Sequence, residues 1–336
     1  MQKTLRQLFF ILAVMLFISA KLFSRDIFDD FTREDKLRIR EAYNVFKEFG
    51  NQVWKNWDSA PFAILLVTDE NEYLIYHPNP SNDFTLIGSD SITGSNVYTR
   101  PRQFSSSFLA TFPAANGVST IVVGNPANTG LSSMSWVNTI LHEHFHQLQS
   151  SRDDYYAAIG SLGLAGDDST GMWMLNYKFP YDDPSVGKKY SELVQSAKKT
   201  YLSINTPEFD NNVKEFLTAR KDFKLLLNEN DYKYFSFQVW QEGIARYTEL
   251  KIADLMRNEY SPAKEFAELE DYIPADSFYT FVNDKILKRA DSQSLAIDQR
   301  TCFYTLGALE GFILDKVNPD WKDLYFDKKF FVEEYY

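Results

Sequence analysis

Four histidines occur in the 336 residues, and three of them stand within five positions, His142-Glu143-His144-Phe145-His146. On a helix, residues four apart lie one above the other, so His142 and His146 present two imidazoles to the same side. Neutral imidazoles are good ligands for Zn²⁺, and the Glu143 carboxylate beside them is placed to take a proton from a water held there. The chemistry that this spacing suits is metal-assisted hydrolysis. Neighbouring residues give the helix two faces. Ser135, Asn138, His142, His146 and Gln149 form a polar stripe, and Val137, Ile140, Leu141 and Leu148 form an apolar one. His144 falls on the apolar side, so it is expected in the core or behind the ligands rather than at the metal.

Two imidazoles leave such a site incomplete, because catalytic zinc usually has three protein ligands and a water. His77, the remaining histidine, ends a strand-like run in "YLIYHPNP" just before a Pro-rich turn. The longer pattern H-E-x-x-H-x-x-G-x-x-H is absent, since positions 149 and 152 are Gln and Arg. A better source of the third ligand is "VWQEGIARYTEL", residues 239–250. There Gln238, Glu242, Ala245, Arg246, Glu249 and Ala253 share a polar or small face, while Trp240, Ile244 and Tyr247 point to the other side. Gly243 would let a neighbouring backbone come close to Glu242.

The string Glu242-Gly243-x-Ala245-x-Tyr247-x-Glu249 resembles the second metal-binding helix of gluzincins, especially the zinc aminopeptidases whose helix reads Asn-Glu-Gly-Phe-Ala. The resemblance covers the two helices, about thirty residues of the chain. It implies that Glu242 is the third zinc ligand, that Glu249 lies within reach of the ligands, and that one Zn²⁺ is bound per chain. The chain departs from those aminopeptidases in three respects. A gap of ninety-five residues separates His146 from Glu242, Gln241 replaces their Asn, and no Gly-Ala-Met-Glu-Asn motif lies upstream. Gluzincin sites also carry a Tyr or His that steadies the oxyanion formed when water attacks a carbonyl. Tyr304, in "CFYTLGALEGFILD", is the candidate here. It shares a stripe of small residues with Gly307 and Gly311, which would allow another helix to pack closely.

These helices need a scaffold. A helix is expected from Phe31 to Trp57, ended by Pro61, followed by a hairpin in "FAILLVTDENEYLIYHP" with its turn at Asp69 to Asn71. A polar loop is expected from there to about Gln103. A second hairpin, turning at Asn116-Gly117, leads into the histidine helix with Ser132 or Ser133 as N-cap. Its strand Val118 to Val123 is the one expected to border a cleft, where an extended substrate could pair as an added strand. Residues 150 to 185 read as irregular and aromatic-rich, suited either to shaping a pocket or to filling the space between lobes. Beyond Val186 the pattern is mostly helical, over about 186–203, 208–228, 231–257, 262–270, 276–289 and 295–316.

The expected class is therefore α+β and zincin-like, with a β-containing N-terminal lobe (about 25–150), a helical C-terminal lobe (about 151–336) and the cleft between them in one catalytic domain. Lys3 and Arg6 precede a 13-residue apolar run, Leu8 to Ala20, too short for a relaxed bilayer span. Residues 1–24 accordingly read as a signal peptide or N-terminal anchor, and the chain as exported. Removing Lys3 and Arg6 takes the formal charge from −11 to −13, which argues against nucleic acid and anionic membrane surfaces as partners. A single cysteine, Cys302, leaves no internal disulfide. The activity expected is zinc-dependent hydrolysis of peptide bonds in a peptide or protein substrate. The competing readings are an inactive zincin scaffold that binds a partner, and a zinc hydrolase of a non-peptide amide such as a cell-wall cross-link.

Overall fold

A computed structural model describes residues 30–336. The leader expected over 1–24 lies outside the described residues. Helix α1 (Arg33–Val53) begins at Thr32, whose hydroxyl accepts from the Asp35 amide, and a 3₁₀ turn follows at Trp57–Ser59. Six strands come next: β1 (Ile64–Val67), β2 (Asn71–Ile75), β3 (Thr85–Asp90), β4 (Ser95–Pro101), β5 (Leu109–Ala115) and β6 (Val118–Gly124). The remainder is helical. Short α2 (Pro126–Thr129) precedes α3 (Ser133–Ser150), which carries the histidines. After α4 (Tyr155–Ser161), α5 (Trp173–Asn176), α6 (Pro184–Leu202), α7 (Phe209–Leu226) and α8 (Glu229–Gln238) comes a π turn at Val239–Gly243, continuing directly into α9 (Ile244–Glu259). Helices α10 (Lys264–Ala267), α11 (Ala275–Ser292), α12 (Leu295–Asp298), α13 (Thr301–Val317) and α14 (Trp321–Lys328) complete the fold, with a 3₁₀ turn at Val332–Tyr335. The class is α+β, with all strands in the N-terminal part and a mainly helical remainder. None of the helices among the described residues is long and apolar enough to cross a membrane.

The strands form one sheet in the order β3-β4-β2-β1-β6-β5. Strand β1 pairs antiparallel with β2 and parallel with β6, placing Ile64 opposite both Ile75 and Ile121. Alternation along the strands sorts the side chains by face. Ile64, Leu66, Tyr73, Ile75, Ile121 and Val123 join the main core with α1 and α3, while Leu65, Val67, Leu74 and Val122 form a smaller apolar cluster on the other face. Both faces of the central strands are thus covered, which is why "AILLV" is apolar without a break. Phe145 and Leu148 of α3 are fully buried, Phe145 among Trp54, Trp57 and Tyr325, and each such burial contributes about 1.5–3 kcal/mol.

Two expectations need correction. The segment expected as a polar loop up to Gln103 contains the hairpin β3–β4. Strand β3 is a sheet edge with much of its surface exposed, so its alternation is polar and resembles a loop. The turn is held by Asp90, whose carboxylate accepts from the Ile92 and Thr93 amides. Nor does Val118 to Val123 border an open edge: β6 is bracketed by β1 and β5, and the edge on that side of the sheet is β5. The hairpin joining them turns at Asn116-Gly117, both at positive φ, as a two-residue primed turn requires.

Candidate metal centre

Helix α3 is anchored at both ends before its polar face is considered. At its N-terminus the Ser133 amide donates to Asp271 Oδ2 at 2.7 Å and the Ser133 hydroxyl to Oδ1 at 2.6 Å, so a residue 138 positions away caps the helix. Near its C-terminus the Gln147 amide nitrogen donates to the carbonyls of Ala63 and Ser119, tying the helix to the sheet. His144 faces the same side. It stacks on Trp57 and meets Phe46 and Phe62 edge-on, with Nδ1 2.7 Å from Gln147 Oε1. Burial holds its pKa down at about 3, so it is a neutral core residue, as its position on the apolar stripe predicted.

The opposite side of α3 carries the chemistry. His142 Nε2 and His146 Nε2 lie 3.1 Å apart, and Glu242 Oε2 stands 3.5 Å from the first and 3.4 Å from the second. Glu242 belongs to the π turn, a local widening of the helix that is frequent at functional sites. His77 is elsewhere, its Nδ1 accepting from the Asn79 amide. Among the described residues, His142, His146 and Glu242 form the group able to hold a metal ion.

The outer partners determine which atoms face the centre. Tyr325 donates its hydroxyl proton to the Trp240 carbonyl, so it accepts from Gln149 Nε2, which also donates to the Gln241 carbonyl. That fixes the Gln149 amide with Oε1 toward His146 Nδ1, 2.6 Å away and closer than the Gln241 Nε2 donor at 3.2 Å, so the shorter contact assigns the His146 ring proton to Nδ1. Its Nε2 therefore carries the lone pair toward the centre. His142 Nδ1 lies 2.8 Å from Glu249 Oε1, and Arg246 grips Glu249 Oε2 at 2.5 Å. Three acceptor groups consequently converge on one buried spot, which is unstable unless a cation or protons sit between them. This donor set, two imidazoles and one carboxylate, could hold a metal ion.

Electrostatics point the same way. Burial alone would lower the His142 pKa, but Glu249, Glu242 and Glu143 more than offset it and push it up to about 10. His146 is also raised, burial being outweighed mainly by Glu242. Burial would raise Glu242, yet His146 and His142 hold it well below the usual carboxylate range. The cage is tuned to attract positive charge.

Glu143 is buried at the rim, with Oε2 accepting from Thr111 Oγ1 at 2.7 Å; the same hydroxyl lies 3.0 Å from the Glu143 carbonyl. Thr111 is on the edge strand β5, so the sheet orients the carboxylate. Tyr304 stands on the other side, its ring 6.5 Å from that of His142 and tilted by 21°. Burial and the Glu242 charge raise its pKa well above the ordinary phenol value, so it stays a proton donor. Arg300 Nη1 donates to the Tyr304 hydroxyl at 2.5 Å and lies 3.9 Å from Glu242 Oε1.

All six residues singled out from the sequence, His142, Glu143, His146, Glu242, Glu249 and Tyr304, meet in this one region. Sequence reasoning missed Thr111, Tyr325 and Arg300. Arg300 lies four residues before Tyr304, a helical spacing that offered a signal; Thr111 and Tyr325 reach the site only through tertiary packing and left none. No protein-family model, curated protein or solved structure matches this chain.

Proposed function

We propose that this protein is a zinc-dependent metallopeptidase of gluzincin type, with the zinc between a β-containing N-terminal lobe and a helical C-terminal lobe. The observation that carries this reading is the convergence of His142 Nε2, His146 Nε2 and Glu242 Oε2 with Glu143 adjacent in sequence and facing the edge strand. A zinc ion held by those three atoms would lower the pKa of a water and polarise a substrate carbonyl.

The protein's own groups supply the rest. Glu143 takes a proton from the attacking water at its carboxylate and passes it to the leaving amine, with Thr111 holding the group in line. Tyr304, kept protonated, donates a hydrogen bond where negative charge develops on the former carbonyl oxygen. Glu249, kept ionised by Arg246, holds the His142 ring by Nδ1, and Gln149 does the same for His146. The free edge of β5 beside Glu143 suits a substrate in extended conformation, which is how peptides add to a sheet. Export of the protein belongs to the same reading and rests on the apolar run Leu8 to Ala20.

The test is a peptide-hydrolysis assay on metal-loaded, chelated and Glu143→Gln protein. Activity lost with chelator, restored by Zn²⁺ and absent in Glu143→Gln is expected. Turnover indifferent to both changes would refute the reading.

A further inference from the structure

The carboxylate of Glu242 is divided between two neighbours. Its Oε2 faces both imidazoles, and its Oε1 faces Arg300. Arg300 differs in this from the other arginine nearby. Arg246 is held at 2.5 Å by Glu249, so its charge is matched. The only carboxylate contact of Arg300 among the described residues is the 3.9 Å approach to Glu242, a group already engaged by two imidazoles. Both side-chain contacts of Arg300 run through Nη1, to Tyr304 and to Glu242, which leaves its Nη2–Nε edge open. A guanidinium edge is the geometry that binds a carboxylate through two parallel hydrogen bonds.

The surroundings fit an anion. Arg300 is a quarter exposed at the mouth of the metal site, in a chain with a net charge of −11. The Tyr181 and Tyr234 hydroxyls lie 3.4 Å apart, and the Arg300 charge reaches both phenols as well as Tyr304. Tyr181 donates its proton to the Tyr234 oxygen, so the donors that this corner offers an anion are those of the guanidinium. Tyr234 is itself fixed, donating to the Met174 carbonyl and stacked on Tyr177 at 4.4 Å, so the irregular segment 150–185 forms one wall of this corner.

We propose that Arg300 is a specificity-determining residue that binds a carboxylate of the substrate next to the metal, either the terminal carboxylate of a peptide or an acidic side chain. The substrate class is then anionic peptides. This rests on the peptidase reading for its place in a reaction, but the binding it describes is measurable without turnover.

Three probes separate the sources: an N-acetylated apolar tripeptide as free acid, its C-terminal amide, and the amide with one Glu side chain. Binding is measured by calorimetry to zinc-loaded protein carrying Glu143→Gln, with Arg300 intact, Arg300→Gln or Arg300→Lys, and turnover of the same peptides by the enzyme with Glu143 intact. With Arg300 intact, at least one anionic probe should bind roughly tenfold or more tighter than the neutral amide, Arg300→Gln should abolish that preference, and Arg300→Lys should keep part of it. Preference for the free acid alone assigns the terminal carboxylate, and preference for the Glu-bearing amide assigns the side chain. Equal binding of all three, or a preference that survives Arg300→Gln, overturns the proposal. So does a loss of zinc affinity in Arg300→Gln with the preference unchanged, since Arg300 would then only position Glu242. If no probe is hydrolysed while the Arg300-dependent preference holds, the peptidase reading fails and the anion subsite stands.

Discussion

Gly243 and Gly307 meet backbone to backbone. A Cβ added to Gly307 would lie 2.5 Å from the Gly243 Cα, and one added to Gly243 would lie 2.7 Å from the Gly307 Cα. The contact brings α13 against the π turn and so sets Tyr304 and Arg300 beside Glu242, residues that precede Gly307 by one and two helical turns. One turn later a Cβ on Gly311 would collide with the Tyr247 ring at 2.4 Å, so the close approach continues along both helices. Gly307→Ala should therefore force the helices apart, costing about 1–3 kcal/mol and weakening metal binding together with stability. Gly187→Ala is the control, because a Cβ there meets nothing within 4 Å and should be neutral or mildly stabilising. Thermal unfolding and zinc titration of both variants check this. A Gly307→Ala protein with unchanged stability and zinc affinity would show that the contact does not position the site.

The three histidines of the motif should separate by function. His142→Ala and His146→Ala should each abolish tight zinc binding while leaving most of the fold intact. His144→Ala should retain zinc but lower stability by about 2–4 kcal/mol, since it empties a space enclosed by Trp57, Phe46 and Phe62. Metal analysis paired with denaturant unfolding distinguishes the two outcomes.

Loss of the base and loss of its support should differ in degree. Glu143→Gln should lower turnover by roughly a hundredfold or more with zinc retained. Thr111→Val, which deletes the hydroxyl bound to Glu143 Oε2, should produce a smaller fall in kcat, about tenfold, with little change in KM. Equal kcat values for Thr111→Val and the unaltered protein would mean that Glu143 is oriented by other contacts.

Much of the site was legible because its residues obey helical spacing. His142 and His146 are one turn apart, Glu242 and Glu249 two turns apart, and Tyr304, Gly307 and Gly311 mark one stripe. Each relation is local, so a sequence displays it. The π turn is different: no residue in Val239–Gly243 announces an extra residue in the turn, and its consequence appears only when Gln241 and Trp240 offer their carbonyls to Gln149 and Tyr325. Strand order was likewise hidden. Antiparallel hairpins follow from turn residues such as Asn116-Gly117, but the parallel pairing of β1 with β6 spans 57 positions and has no local signal. The edge position of β5, and with it the role of Thr111, followed from that pairing.

Away from the site, a buried charge cluster should shape stability against pH. Arg220 donates to Glu310 Oε2 and Glu333 Oε2, each at 3.0 Å, with Arg220 and Glu310 almost wholly buried. Burial pushes the Glu310 pKa up to about 7 despite Arg220, while Glu333 is held low, burial being outweighed by Arg220. Between the unfolded value of 4.5 and about 7, the native protein holds a proton on Glu310 that the unfolded chain has released. The contribution of this group is thus full below pH 4.5 and is lost as pH rises through 7. Denaturant midpoints measured from pH 4.5 to 8 should decline less steeply in Glu310→Gln than in the unaltered protein. Parallel curves would exclude the effect.

His142, His146 and Glu242 are proposed to hold zinc. Anomalous diffraction at the zinc edge, on crystals of the metal-loaded protein, tests it most directly. One peak per chain is expected, about 2.0–2.2 Å from His142 Nε2, His146 Nε2 and a Glu242 carboxylate oxygen, with Glu249 on the far side of the His142 ring. A peak at His77, Asp153 or Asp154 with Glu242 turned to solvent would contradict it, as would crystals that take up no zinc at all.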